Sequence, residues 1–141
     1  MRITTKYHGE VDINPEQILL FPKGIPAFEE ETQYTLLPFP NNDWFQILQS
    51  TNNPQLGFVT ISPFVFFNDY DFLLDDASME QLGYPSEGSI EILSILTVRD
   101  PFEDSTLNLQ APLVINRNEK IGKQLILNDT HYRIRHKISA N

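Results

Sequence analysis

The chain has 141 residues, with 40% apolar residues, ten Phe, five Tyr and one Trp, which is enough to fill the core of one domain spanning residues 1–141. It has no Cys, which excludes disulfides, thiolate nucleophiles and Cys-based zinc or iron–sulfur sites. The net charge is −9 and unevenly spread: residues 1–116 carry 4 Lys/Arg against 17 Asp/Glu, and residues 117–141 carry 6 against 2. Such a surface repels phosphate backbones and favours a basic protein partner.

Period-two apolar patterning dominates from the start. Arg2–Tyr7 and Glu10–Ile13 read as two short strands around His8-Gly9. Ile18–Phe21 follows Asn14-Pro15, and Pro22-Lys23-Gly24-Ile25-Pro26 breaks the chain again. Tyr34–Phe39 is strand-like and ends at Pro40. Asn41-Asn42-Asp43 then turns into Trp44–Gln49, and Gly57–Ile61 makes a further strand before Ser62-Pro63. Phe64–Phe72 crowds aromatics among acids. Alternation there puts Phe64, Phe66 and Asn68 on one face and Val65, Phe67 and Asp69 on the other.

One short helix is expected near 76–82, with Asp75 as N-cap and Gly83 as stop. Ser89–Val98 carries apolar residues on both alternating faces, which predicts a central strand covered on both sides. Leu113-Val114-Ile115 and Leu125-Ile126-Leu127 flank a polar connector, Asn116-Arg117-Asn118-Glu119-Lys120, that reads as a hairpin loop. The basic run His131–Lys137 reads as an edge strand whose charges deter pairing, and Ser139–Asn141 as a frayed end. Together these predict a mostly β fold: a small β-barrel-like domain of short antiparallel strands with one short helix.

No catalytic pattern emerges. Six Gly provide neither a dinucleotide nor a phosphate-binding loop, and no nucleophile elbow is present. His131 and His136 fall on opposite faces of the expected strand, and the acids around Asp69-Tyr70-Asp71 and Asp75-Asp76 lack the spacing of a calcium loop. The residues thus point to a non-enzyme with no metal or cofactor. The candidate partner surface combines steering acids with apolar anchors: Glu29, Glu30, Glu31, Asp69, Asp71, Asp75, Asp76 and Glu80, with Phe67, Tyr70 and Phe72. Two competing readings are a barrel holding a small apolar ligand, and a nucleic-acid binder using the C-terminal basic strand. The chain has no signal-peptide core and no run of roughly 20 apolar residues, so no membrane association is expected.

Three stretches carry a resemblance. Phe21-Pro22-Lys23-Gly24-Ile25-Pro26-Ala27-Phe28-Glu29, then Gly57–Phe64, then Leu107–Asn116 with its Asn-Leu-x-Ala-Pro-Leu-Val-Ile-Asn run, together resemble the flagellar assembly factor FliW family. The pattern departs at Ala27, where Gly is expected. The resemblance implies a non-enzymatic, cytoplasmic β-barrel-like protein, monomeric alone. It implies binding to flagellin near its C-terminal region, and alternative binding to the translational repressor CsrA, which relieves repression of flagellin synthesis. It places the antagonism away from the RNA-contacting face of CsrA, so simple RNA mimicry is not implied, and no direct contact with nucleic acid is expected.

Overall fold

The computed structural model describes residues 1–39, 42–128 and 130–138. The expected strand end at Pro40, Asn41 as the first residue of the expected Asn41-Asn42-Asp43 turn, and the expected frayed end at Ser139–Asn141 lie outside the described residues.

The first hairpin pairs β1 (Arg2–Thr4) with β2 (Glu10–Asp12), so both strands are shorter than the sequence suggested. Thr5 ends β1 because its N–H and hydroxyl both bond the Gly9 carbonyl, at 2.7 and 2.8 Å. Gly9 sits at φ 65°, where a side chain is disfavoured. Ile3 and Ile13 bury against Leu37 and Ile47 of the main sheet. The Lys6 N–H also bonds the buried Gln49 side chain at 2.9 Å, which fixes the hairpin to that sheet.

The main sheet holds β3 (Leu19–Leu20), β4 (Gln33–Phe39), β5 (Asn42–Ser50), β6 (Gly57–Ile61), β7 (Ile90–Thr97), β8 (Thr106–Leu107), β9 (Leu113–Asn116), β10 (Ile121–Gln124) and β11 (His136–Lys137). Its order is β11-β8-β7-β6-β5-β4-β3-β10-β9, and β9 pairs back onto β7. The sheet is therefore ring-like, and the fold is mostly β with one short helix, as the patterning predicts. Asn42 and Asp43, expected in a turn, already belong to β5.

The ring has one weak join. Between β3 and β10 a single parallel pair, Ile121 with Leu20, closes it, whereas every other neighbouring pair in the ring is antiparallel. β7 takes β6 on one edge and both β9 and β8 on the other. That accounts for its apolar residues on both faces. Leu96 pairs with Leu107 and Leu93 with Leu113, so six steps along one side face three on the other. The intervening segment Asn108–Pro112, five residues opposite two, forms a bulge. The Asn108 side chain takes the Ala111 N–H at 3.0 Å, and the Ser94 hydroxyl donates to the Asn108 carbonyl at 3.0 Å.

Phe21, Tyr34, Leu48, Leu113 and Ile115 fill one core, and Ile61, Tyr70, Leu96, Leu107 and Leu109 another. The Phe21 and Tyr34 rings meet edge to face at 5.3 Å. Helix α1 (Asp76–Gln81) starts at Asp75, whose carboxylate accepts the Ser78 N–H at 2.8 Å, and it stops at Gly83 with φ 76°. Six residues do not hold a helix alone. Fully buried Leu82, packed on Val114 and Leu125, anchors it with about 2 kcal/mol of apolar burial.

Two segments depart from the sequence expectation. Phe64–Phe72 is not a strand: a tight 3-10 turn at Pro63–Val65 and further turns replace the alternation. The basic run forms a strand only at His136–Lys137, because Arg133 is drawn aside to accept the Leu109 and Gln110 N–H groups of the bulge at 3.0 and 3.3 Å. No helix among the described residues is long and apolar enough to cross a membrane.

Candidate functional site

The Pro- and Gly-marked segment after β3 folds into two tight turns. Gly24 has φ 64°, and a Cβ there would sit 2.5 Å from the Glu29 backbone, so the chain doubles back only because Gly24 lacks one. Ile25 pairs with Phe28 in an isolated bridge, with Ala27 at φ 77°. This geometry projects Glu29 and Glu30 into solvent. Glu31 is half-buried and accepts the Ser50 hydroxyl at 3.1 Å. Burial and then the Glu31 charge push the buried Tyr34 phenol up to about 12.

The second acidic group lies on the turns before α1 and on α1 itself. Asp69, Asp71, Asp75, Asp76 and Glu80 are exposed. Ser78, through its side chain and backbone, holds the Asp75 carboxyl below the usual carboxylate range, with Lys123 adding to the effect.

The aromatics divide differently from the expectation. Tyr70 is 3% exposed and its hydroxyl donates to the Leu109 carbonyl at 2.6 Å. Burial, with Tyr132 adding, pushes its phenol well above the usual value. It packs against Tyr132 and Phe72 at ring distances of 4.6 and 5.6 Å and so belongs to the interior, with no face to offer as an anchor. Phe67 and Phe72 are half-buried, and Phe67 meets His136 edge-on at 5.0 Å.

The two acidic groups meet across a groove of about 940 Å³. Glu29, Asp71, Phe72 and Asp75 line it, whereas the other proposed side chains lie outside its walls. Lys23, Lys123, Leu73 and Ile126 also line it, and none of these was singled out in the sequence. Lys123 donates to the Gln81 side chain. Leu73 is 91% exposed, more than any other large apolar residue described. The only hint in the sequence was an aliphatic residue within an acidic run. A smaller apolar depression of about 290 Å³ adjoins it and shares Pro26, Gln124 and Ile126. Among the described residues the groove carboxylates Glu29, Asp71 and Asp75 have no salt-bridge partner.

The hairpin connector is structural. Buried Asn116 donates to the Leu82 carbonyl at 2.6 Å and accepts the Asn118 and Glu119 N–H groups at 3.1 and 3.3 Å. Arg117 donates to the Gly88 carbonyl at 2.8 Å. The second strand starts at Ile121, ahead of the apolar run expected to form it.

The chain matches the model of the family described as FliW protein over residues 2–138. It is 50% identical over 138 residues to a flagellar assembly factor FliW from Geobacillus sp. (strain WCH70), covering 98% of this chain and 95% of that one. It is 44% identical over 140 residues to the flagellar assembly factor FliW of Bacillus subtilis (strain 168), covering 99% and 98%. A solved structure, described as the crystal structure of the flagellar assembly factor FliW, superposes with a TM-score of 0.94 at 47% identity, covering 100% of this chain and 99% of that one. With the ring-like sheet and the family marker at Asn108–Asn116 in place over its whole length, the chain belongs to the FliW family of flagellar assembly factors.

Proposed function

We propose that this chain is a non-catalytic, cytoplasmic regulator of flagellar assembly that works by holding other proteins. It binds flagellin through the C-terminal region of flagellin, and alternatively binds CsrA and relieves its repression of flagellin synthesis. The observation that carries this reading is the match, across nearly the whole chain, to relatives named as flagellar assembly factors. The partner exchange is mass action: flagellin bound to the chain lowers the amount free to take CsrA, and export of flagellin restores it. The acids at Glu29, Glu30, Asp69, Asp71, Asp76 and Glu80, without an ion pair among the described residues, support capture of a cationic partner, with an on-rate that falls with salt. Phe67 and Phe72 supply half-buried aromatic surface beside them.

The test is separate calorimetric titration of the chain with flagellin and with CsrA, then competition between them. Saturation with flagellin is expected to abolish CsrA binding. Micromolar concentrations of each partner that produce no binding would refute the reading.

A further inference from the structure

The groove contains a feature that charge steering does not use. Leu125 and Leu127 donate their N–H groups to the Pro112 and Gln110 carbonyls at 2.9 and 2.8 Å, so β10 continues past its end along the bulge. These bonds aim the backbone N–H groups of Leu125 and Leu127 at the bulge. Strand alternation then turns the N–H and C=O groups of Gln124 and Ile126 the other way, toward the groove. On that side β3 reaches only Leu20, whose N–H donates to the Lys120 carbonyl at 2.8 Å. The chain then leaves at Pro22, and among the described residues no strand covers the edge beyond. Among the described residues the Ile126 backbone has no hydrogen-bond partner.

A row of outward N–H and C=O groups is complementary to another extended backbone. Its surroundings define what that backbone carries. Leu73, 91% exposed, and Ile126, 55% exposed, provide apolar contacts. Lys123 is held by Gln81 and lies near Asp75. Glu29 and Asp71 have no ion-pair partner among the described residues and face one free ammonium, Lys23. Their exposed neighbours Glu30, Asp69 and Asp76 are all acidic, so the local field favours cations.

We propose that this groove takes an extended segment of a protein partner as an added strand along Gln124–Ile126. Its apolar side chains pack on Leu73 and Ile126, and a basic side chain sits against Glu29 and Asp71. The proposal rests on the protein-binding reading above and adds the site and the mode.

Residue-resolved amide exchange by NMR on the full chain tests it, alone and with each of the two partners proposed above. In the free chain the Gln124 and Ile126 amides exchange faster than those of Leu125 and Leu127. On binding, the first two slow by about tenfold or more. Ile126→Pro removes an N–H that no described ladder bond uses, and Leu73→Ser alters only exposed surface. Each is expected to weaken partner binding about tenfold, with unchanged thermal unfolding. A partner that binds while both amides stay open overturns the groove and leaves the protein-binding function intact. Protection that appears in the chain alone and grows with its concentration assigns the edge to a second copy, which also overturns the proposal. Absence of binding by either partner removes the function and this site together.

Discussion

The Asn116 side chain donates to the Leu82 carbonyl at 2.6 Å, and that bond joins the β9–β10 hairpin to the end of helix α1. The same amide holds the loop through its oxygen, so one buried side chain serves two elements. Asn116→Ala leaves the Leu82 carbonyl and two loop N–H groups short of partners. It should lower unfolding stability by about 2 kcal/mol in urea denaturation. Asn116→Asp keeps the acceptor but sets a buried carboxylate against a carbonyl oxygen, and should lose more.

Ala27 sits at φ 77°, in the left-handed region where a Cβ is strained, at the position where the family pattern calls for Gly. Ala27→Gly should therefore stabilise the protein by about 1 kcal/mol, against the usual direction of a Gly substitution. The urea midpoint should rise, and a fall would contradict the strained turn.

His136 packs on Phe67, and its buried Nδ1 has no partner among the described residues. Burial, then the charge of Arg133, then His131, lower its pKa from the usual 6.5. The folded state thus binds this proton more weakly than the unfolded chain does. Its contribution is complete above about pH 6.5, declines as the pH falls below that value, and levels off beneath the folded pKa. Denaturation midpoints measured from pH 7.5 to 5 should fall less steeply in His136→Phe than in the parent protein. Parallel curves would show that His136 does not carry this dependence.

Asp69 and Asp71 are both exposed and without an ion pair among the described residues. Reversing both to Lys should slow CsrA association about tenfold at low salt and much less at high salt, by stopped-flow mixing. Equal rates at low salt would remove these two acids from the steering set. Folding stability should change by less than about 0.5 kcal/mol.

Local chemistry was readable wherever neighbours in sequence decide the outcome. Asp75 and Gly83 bracket the helix because capping and chain reversal act within a few residues. β7 announced its central place through apolar residues on both faces. The aromatic run at 64–72 mimicked a strand, yet its rings gather around Tyr70 and Tyr132, residues far apart in the chain. The basic strand failed for a similar reason: Arg133 answers to the bulge at Leu109, and no local period encodes that bond. The candidate surface was half visible. Its acids showed in the composition, while Lys23, Leu73 and Ile126 join them only through the ring's closure.

Gly122 lies buried in β10 with the Phe21 ring occupying the space a side chain would take, 2.4 Å from an ideal Cβ. Phe21 also braces Tyr34, so the ring cannot slide away freely. Positions 21 and 122 of this chain therefore share one volume: a methyl gained at 122 demands bulk surrendered at 21, and Gly122→Ala alone would push the Phe21 ring out of its place.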